Sequence, residues 1–295
     1  MPKKVWFYSK SLKCAGLLYV PENAGDKKSP VIVMAHGLSA VKEQALPEYA
    51  NKFVDAGFVI LAFDYRFFGE SDGEPRCQLF PLEMVEDYRN AITWVSDQPG
   101  VDASRVGIWG TSFSGGYVLY TGAFDRRVKA VVAQVPAVGS PTSRHARSPE
   151  RWERDSQTII ENRIDRYRTG RVSYVKVVAT AGEPCIIPGK SAYDFFVGSQ
   201  QLAVNWRNQL TRESLEKIRE FDNVTSVSLI SPTPLMIIAA ERDELIPLET
   251  VKSVMEKAGE PKELHTLPIT HFEIYREPWL SDAARLAVDW FKKYL

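Results

Sequence analysis

The chain has 295 residues, of which 44% are hydrophobic and 25% are charged, as in ordinary water-soluble globular proteins. Its basic and acidic side chains each number 37, so no net charge attracts it to nucleic acid or to an acidic lipid surface. No stretch approaches the roughly 18 consecutive apolar residues of a membrane span. We therefore expect neither a nucleic-acid partner nor a membrane partner.

The first residues and the cysteines indicate the cellular compartment. Strand-like residues follow Lys3 and Lys4 directly, without the apolar core of a secretory signal. Cys14, Cys77 and Cys185 are far apart and lack the spacing of metal ligands, a pattern typical of free thiols in a reducing compartment. The sequence thus predicts a cytoplasmic protein without a structural disulfide or a metal site.

Short apolar runs alternate with helix-like segments along most of the chain. The runs predict strands at residues 5–9, 12–20, 30–35, 58–63, 106–109, 128–135, 235–240 and 263–269. The other segments predict helices at residues 46–56, 81–98, 113–123, 248–258 and 283–294, and residues 21–26 predict a loop. Most of the runs are continuous, because strands covered by helices on both faces need no polar side. The pattern favours a doubly wound, largely parallel α/β sheet.

One interval interrupts this alternation. About ninety residues separate the strand at 128–135 from the strand at 235–240, against the two to six residues usual for such connections. Helices are predicted to begin at Ser148-Pro149-Glu150 and to cover residues 192–204 and 211–221, and the first presents an apolar face that includes Trp152 and Tyr167. We therefore predict a core of residues 1–136 and 232–295 and an inserted helical cap of residues 137–231, placed where open α/β sheets bind ligands.

The segment Gly-Thr-Ser-Phe-Ser-Gly-Gly at residues 110–116 follows a buried strand and opens a helix. A serine at so sharp a turn projects its hydroxyl from the sheet, and small neighbours let the backbone turn tightly. Ser112 is therefore the candidate nucleophile, although Ser114 stands where the usual pattern has glycine. Ser114 is the alternative nucleophile, expected inside the helix, and a glycine-rich helix start without chemistry is the structural alternative.

A serine hydroxyl needs a base within hydrogen-bond reach, and the base needs an orienting acid. His271 lies in a loop before the C-terminal helix, and Asp243 follows the strand at 235–240. Glu241 and Glu244 are local alternatives to Asp243. The resulting order along the chain is serine, acid, histidine, which matches one known arrangement of such triads.

Two further loops, at residues 36–38 and 64–73, follow predicted strands. The backbone N–H groups of Leu38 and Phe113 are expected to form an oxyanion hole. His36, Phe67 and Phe68 are candidate substrate-binding residues, with His36 interpreted first as a residue that orders its loop. Arg66 is expected to brace the second loop by pairing with a carboxylate.

In the cap, Phe195, Phe196 and Trp206 indicate either an apolar part of the substrate or packing on the core.

With these residues assembled, the chain resembles the α/β-hydrolase superfamily along nearly its whole length. It is most similar to bacterial dienelactone-hydrolase-like enzymes and fungal polyketide-transferase-like proteins. The segments that carry the resemblance are His-Gly-Leu at 36–38, Asp-Tyr-Arg at 64–66, Gly-Thr-Ser-Phe-Ser-Gly-Gly at 110–116, Ser-Pro-Thr-Pro-Leu at 231–235 and His-Phe-Glu-Ile-Tyr at 271–275. The resemblance implies an α/β-hydrolase fold with a central sheet of about eight strands.

For function, the resemblance implies acyl transfer through an acyl-enzyme, without a metal or an organic cofactor. Ser112 argues against the chemistry of dienelactone hydrolases proper, which use cysteine, and of dehalogenases and epoxide hydrolases, which use aspartate. We expect a hydrolase of a small-molecule carboxylic ester or lactone. The open alternatives are an acyltransferase with an alcohol or amine acceptor, a peptidase or amidase, and a catalytically silent binding protein, which would require a broken triad. A homodimer is a further possibility that the sequence leaves open.

Overall fold

A computed structural model describes residues 1–22 and 28–295, so residues 23–26 of the predicted loop lie outside the described residues. Ten strands are found in the described ranges: β1 (Lys3–Ser9), β2 (Leu12–Tyr19), β3 (Ser29–Ala35), β4 (Val59–Phe63), β5 (Val101–Thr111), β6 (Val128–Gln134), β7 (Tyr174–Val175), β8 (Leu210–Thr211), β9 (Leu235–Ala240) and β10 (Lys262–Leu267). The helices of the same ranges are α1 (Leu46–Asp55), α2 (Pro81–Ser96), α3 (Phe113–Phe124), α4 (Pro141–Arg147), α5 (Pro149–Thr169), α6 (Lys190–Gly198), α7 (Arg212–Glu220), α8 (Leu248–Lys257) and α9 (Trp279–Tyr294).

Within the described residues, eight of these strands form one sheet in the order β1-β2-β4-β3-β5-β6-β9-β10. In this order, each strand from β4 through β3, β5, β6 and β9 to β10 pairs in parallel with its neighbour. Strand β2 pairs antiparallel with both β1 and β4. The predicted mostly parallel sheet of about eight strands is thus confirmed. Because parallel strands end at the same edge, the loops after β3, β5, β9 and β10 all lie along one side of the molecule.

Helices cover both faces of this sheet, and strand β3 demonstrates the consequence. Its residues Val31 and Val33 belong to a core shared with α2, α3 and α8, whereas Ile32 and Met34 belong to a core shared with α1 and α9. Every second side chain of a strand points to the opposite face, so both sets must be apolar. The continuous apolar runs of the sequence have this origin.

The segment between β6 and β9 is mostly helical, with β7 and β8 paired as a small antiparallel sheet. It differs from the sequence-based expectation in two helices: α4 was not expected, and α6 ends at Gly198 instead of residue 204. The apolar face expected on α5 is partly exposed, with Tyr167 91% accessible, because α5 contacts α7 through ion pairs of Arg163 and Arg166 with Glu216. The division into core and cap at residues 137 and 231 stays a prediction.

The helices of the described ranges and the cysteines bear on where the chain can reside. None of them combines the length and the apolar character that crossing a bilayer requires. The three cysteines, Cys14, Cys77 and Cys185, carry free thiols, as the sequence predicts.

Candidate active site

Ser112 lies between strand β5 and helix α3, at the sharp turn that the sequence predicts. Its backbone has φ 54° and ψ −119°, a conformation that an L residue rarely adopts and that surrounding packing must enforce. The turn is possible because Gly110 has no side chain: a Cβ there would lie 2.3 Å from the carbonyl oxygen of Ser114. The strained turn presents the Ser112 hydroxyl at the carboxyl edge of the sheet.

His271 and Asp243 reach Ser112 from two other loops on the same edge. The Ser112 Oγ is 3.1 Å from His271 Nε2, and His271 Nδ1 is 2.8 Å from Asp243 Oδ2. The side chains of His271 and Asp243 are each only 2% exposed, so water competes little for these bonds. With Nδ1–H donated to the carboxylate, Nε2 is left free to accept the serine proton.

The loop after β9 fixes the orientation of Asp243. Its second carboxylate oxygen, Oδ1, accepts the backbone N–H groups of Leu245 and Ile246, each at 2.8 Å. Glu241 instead accepts from the exposed hydroxyl of Thr266, away from the histidine ring. Of the three acidic candidates, Asp243 is therefore the one bonded to the imidazole.

Glu244 has a different contact with the histidine. Its Oε2 accepts the backbone N–H of His271 at 3.0 Å, and its Oε1 accepts from Ser191 of α6 at 2.9 Å. Sequence reasoning considered Glu244 only as an alternative acid and missed this role. Nothing in the pattern of the loop could have revealed it, because Ser191 comes from a distant part of the chain.

The loop after β3 passes directly beside Ser112. A Cβ on Gly37 would lie 3.6 Å from Ser112 Oγ, which measures how closely this backbone approaches the hydroxyl. Among residues 1–22 and 28–295, no acceptor is found for the backbone N–H of Leu38 or of Phe113. Backbone N–H groups without an acceptor, in the segments next to the candidate nucleophile, are the kind of donor that a developing oxyanion requires.

Ser114 is completely buried in α3, as expected, and its hydroxyl connects two elements. It donates to the carbonyl oxygen of His36 at 2.6 Å and accepts from the hydroxyl of Tyr65. Burial raises the pKa of Tyr65 well above its usual value, so this phenol keeps its proton. Ser114 thus joins the helix of the candidate nucleophile to the loop of Leu38, and it has no open path to a substrate.

His36, Phe67 and Phe68 do not lie on the wall of the cavity beside Ser112. All three are buried, with His36 1% exposed; the His36 ring packs edge-on against Tyr65 and Phe68, and Phe67 and Phe68 belong to the hydrophobic core. His36 Nδ1 donates to the carbonyl oxygen of Gly37, while Nε2 is 3.8 Å from Asp64, too far for a hydrogen bond. Burial lowers the pKa of His36 to about 4, so the ring is neutral. Their positions favour structural roles in place of the substrate contact expected from sequence.

Buried ion pairs brace the two loops behind the site. Arg66 pairs with Asp87 of α2 through its Nε at 2.9 Å and its Nη2 at 2.6 Å, which confirms the expected bracing contact. Lys42 is buried and contacts Asp64 and Glu70, each at 2.8 Å. Burial opposes the charge of Lys42, but the attraction of Asp64 and its hydrogen bonds outweigh burial and raise the lysine pKa. The loops after β3 and β4 are therefore held as one unit.

The cavity beside Ser112 has a volume of about 30 Å³. Its walls are mainly apolar and aromatic, and no Asp, Glu, Lys or Arg of the described residues lines it. The lining residues are Gly37, Leu38, Ala40, Gln44, Ala45, Thr111, Ser112, Ile187, Phe195, Phe196, Leu245, His271, Phe272 and Tyr275. Phe195 and Phe196 line the cavity, which favours the interpretation that they contact an apolar part of the substrate. Trp206 instead stacks behind Phe196, with 5.4 Å between ring centroids.

Several of these wall residues were missed at the level of sequence. Tyr275 lies in the His-Phe-Glu-Ile-Tyr segment, and its hydroxyl is 2.7 Å from the hydroxyl of Thr111 beside the candidate nucleophile. Burial raises the pKa of Tyr275, so it remains a neutral hydrogen-bonding group. Gln44 carried no signal, because a single glutamine in a loop shows its position only after tertiary packing.

Fold and site together define an enzyme of the α/β-hydrolase type, and the comparisons with known proteins agree. A profile described as X-Pro dipeptidyl-peptidase (S15 family) matches residues 13–168, more than half of the chain. The quorum-quenching protein AidA of Acinetobacter baumannii is 30% identical over 293 residues, covering 99% of this chain and 95% of AidA. The chain belongs to the X-Pro dipeptidyl-peptidase (S15) family.

Fungal enzymes are similar to a comparable degree. Thiohydrolase aneE of Aspergillus aculeatus is 29% identical, over 86% of this chain and 80% of aneE. The polyketide transferase grgF of a Penicillium species is also 29% identical, over 82% of this chain and 80% of grgF. The crystal structure of α/β hydrolase GrgF from Penicillium sp. sh18 superposes with a TM-score of 0.85 at 26% identity, covering 100% of this chain and 99% of that chain. The resemblance to the fungal polyketide-transferase-like group is thus confirmed.

Proposed function

We propose that this protein is a serine hydrolase that cleaves a small-molecule carboxylic ester or lactone, with Ser112 as nucleophile, His271 as general base and Asp243 as the orienting acid. The observation that carries the proposal is the continuous hydrogen-bonded line from Ser112 Oγ through His271 to Asp243, with distances of 3.1 Å and 2.8 Å. The line begins at a strained strand-to-helix turn, the position that a nucleophilic serine requires.

In the first half of the reaction, Ser112 Oγ attacks the carbonyl carbon while His271 Nε2 takes its proton. The N–H groups of Leu38 and Phe113 hold the negative oxygen, an effect worth roughly 3 kcal/mol for each donor. Asp243 stabilises the imidazolium that forms. The tetrahedral intermediate then expels the alkoxide leaving group, which receives the proton from His271 and departs as an alcohol.

In the second half, water attacks the acyl-enzyme with His271 again as the base. Its oxygen bonds to the acyl carbon, its proton passes to Nε2, and the ester bond to Ser112 breaks with return of that proton. A cavity of about 30 Å³ holds one or two waters, which is enough for this step. The proposed cap, residues 137–231, would select the acyl or alcohol group and exclude further solvent.

The wall of the cavity supports an ester in preference to the peptides of the profile's name. An enzyme that removes a dipeptide from a free N-terminus must bind a charged amine, for which a carboxylate is the natural partner. No acidic side chain of the described residues lines the cavity. The carboxylates of the adjoining loop already have partners, since Asp243 is bonded to the His271 ring and Glu244 to Ser191 and the His271 backbone. The apolar wall favours an uncharged acyl group.

A second candidate reaction shares the acylation step and differs in the acceptor. The relatives named thiohydrolase and polyketide transferase suggest a thioester substrate, or transfer of the acyl group to an alcohol. A thiolate leaving group departs through the same intermediate, and an alcohol can replace water as the attacking group. By limiting the water beside Ser112 to one or two molecules, the aromatic wall of Phe195, Phe272 and Tyr275 would favour transfer to an alcohol over hydrolysis.

The test measures hydrolysis of an aryl acetate and an aryl butyrate, together with intact-mass detection of a fluorophosphonate adduct. Ser112→Ala is expected to lose both turnover, by roughly a thousandfold or more, and labelling. Ser114→Ala is the matched serine control and is expected to keep the label on the peptide that contains Ser112. A folded Ser112→Ala protein that retains either activity would overturn the proposal. Product analysis with added alcohols separates hydrolysis from transfer.

A further inference from the structure

Helix α6 lines the cavity from the cap side. It supplies Phe195 and Phe196 to the wall, and Phe195 packs on Phe272 and Tyr275 with ring centroids 5.3 Å and 4.9 Å apart. The space beside Ser112 amounts to about 400 Å³ when its open mouth is included, but only about 30 Å³ of it can hold the centre of a water molecule, so the rings leave the site narrow. The position of α6 therefore decides how much room a substrate finds beside Ser112.

Each end of α6 is attached to the core by one polar contact. Near its start, the Ser191 hydroxyl donates to Glu244 Oε1 at 2.9 Å. Just past its end, Ser199 accepts from the side-chain amide of Gln44 at 2.7 Å. Single hydrogen bonds near solvent contribute little net free energy, so such attachments hold the helix in place and still release it.

Glu244 is the attachment that reaches the candidate base. While one carboxylate oxygen holds Ser191, the other accepts the backbone N–H of His271 at 3.0 Å. We propose that Glu244 is a positioning residue that couples α6 to His271: closure of the helix fixes the carboxylate, and the carboxylate fixes the loop of the base. This inference rests on the proposed function, because it assigns the role of base to His271.

The coupling has a simple physical basis. Glu244 is an exposed side chain, so by itself it would sample several rotamers. The Ser191 contact restricts it to the rotamer in which it accepts from His271. A shift of about 1 Å in a catalytic group can cost about a hundredfold in rate, so a modest loosening of the His271 loop has a measurable effect.

The experiment compares four variants of the full chain: Glu244→Ala, Glu244→Gln, Ser191→Ala and Glu241→Ala. Glu244→Ala is expected to lower kcat for an aryl acetate about tenfold. Glu244→Gln is expected to stay within about twofold of wild type, because its amide oxygen accepts from His271 and its NH₂ group donates to Ser191 Oγ. Glu241→Ala is the control from the same loop, where only Thr266 is contacted, and should leave kcat unchanged.

Ser191→Ala tests the link to the helix. Without the hydroxyl, α6 opens more readily, so capture of a bulky fluorophosphonate should accelerate about fivefold relative to capture of a small one. The Glu244 contact with His271 persists, so kcat for the acetate should fall less than in Glu244→Ala. If Glu244 had a purely structural role, Ser191→Ala would not capture the bulky probe faster while its kcat fell less than that of Glu244→Ala.

Three results would overturn the inference. The first is that Glu244→Ala has the same kcat as Glu241→Ala, and the second is that Glu244→Gln is as impaired as Glu244→Ala. The third is that Ser191→Ala captures bulky and small fluorophosphonates in the same ratio as wild type. If Glu244→Ala fails to fold by circular dichroism, Glu244→Asp replaces it, since its shorter carboxylate cannot reach both partners. Ser112→Ala separates the two proposals. An active Ser112→Ala protein rejects the proposed function, whereas an inactive one with a normal Glu244→Ala rejects only the coupling.

Discussion

The hydroxyl of Ser114 donates a hydrogen bond of 2.6 Å to the carbonyl oxygen of His36. This bond joins the first turn of α3, which begins beside the candidate nucleophile, to the loop that carries the Leu38 N–H. The usual elbow pattern has glycine at this position, so the hydroxyl is an addition that links the two halves of the expected oxyanion hole.

Replacement of Ser114 by alanine should therefore loosen the oxyanion loop. We expect kcat to fall about tenfold with little change in KM, since the lost contact supports the transition state. The buried hydroxyl of Tyr65 also loses its acceptor, which should lower the free energy of unfolding by about 1 to 3 kcal/mol. Steady-state kinetics and denaturant unfolding check both, with Tyr65→Phe as the control that removes the phenol. Unchanged kcat in Ser114→Ala would refute the link.

Gly37→Ala should impair the reaction while the protein remains folded. The added Cβ would lie 3.1 Å from the Cβ of Ser112, closer than a comfortable contact, so the serine or the loop must shift. Because the shift displaces the nucleophile, we expect kcat to fall at least tenfold. The rate of fluorophosphonate labelling measures the effect, and the thermal midpoint serves as the control for folding. Labelling at the wild-type rate would contradict the close approach described above.

Asp243→Asn isolates the orienting acid. An asparagine keeps the shape of the side chain but removes the charge that holds His271 Nδ1–H, so Nε2 no longer accepts the serine proton properly. We expect kcat to fall roughly a hundredfold or more, with the fold retained. Glu241→Gln, an equivalent change in the same loop, should be neutral because Glu241 contacts only Thr266. Equal losses in the two variants would indicate a general effect of charge on the loop.

His36 should make the protein sensitive to acid. Its pKa is lowered by burial to about 4 from the ordinary value of 6.5, so the unfolded chain binds a proton more readily than the native protein. Stability is therefore fully present above about pH 6.5 and falls as the pH drops towards 4, by about 3 kcal/mol for this group. Urea unfolding across this range should show a smaller loss in His36→Asn than in wild type. Parallel curves would mean that His36 is not the responsible group.

Phe195 should limit the size of the acyl group. Phe195→Ala removes a ring that packs on Phe272 and Tyr275 at the wall of the cavity. We expect kcat/KM for an aryl octanoate to rise at least fivefold relative to the acetate, because each added methylene can then be accommodated. Phe124→Ala, at an exposed position 47% accessible, is the control. A preference that does not shift would place the acyl group elsewhere in the site.

The parts of this molecule that could be predicted from sequence are those with local signals. Continuous apolar runs identified the strands because both faces of the sheet are covered, and a glycine-rich turn after one of them identified Ser112. The order serine, acid, histidine along the chain then limited the choice of the histidine and of the acid. In each case the signal and the feature occupy the same few residues.

The remaining features depend on which side chains packing brings together. Gln44 and Glu244 are ordinary polar residues whose partners, Ser199 and Ser191, lie far away in the chain. Phe67 was expected to contact the substrate but is buried in the core, because the same aromatic side chain suits either environment. No pattern within a single loop distinguishes these outcomes.

The spacing of the site along the chain also has a consequence during protein synthesis. The imidazole lies 159 residues after the serine that it contacts, and it is delivered by the last strand of the sheet. A nascent chain that has emerged only as far as α3 therefore carries the serine turn without the proposed base. Under the proposed mechanism, reactivity at Ser112 is expected only after β9 and β10, which lead into the loops of Asp243 and His271, have joined the sheet.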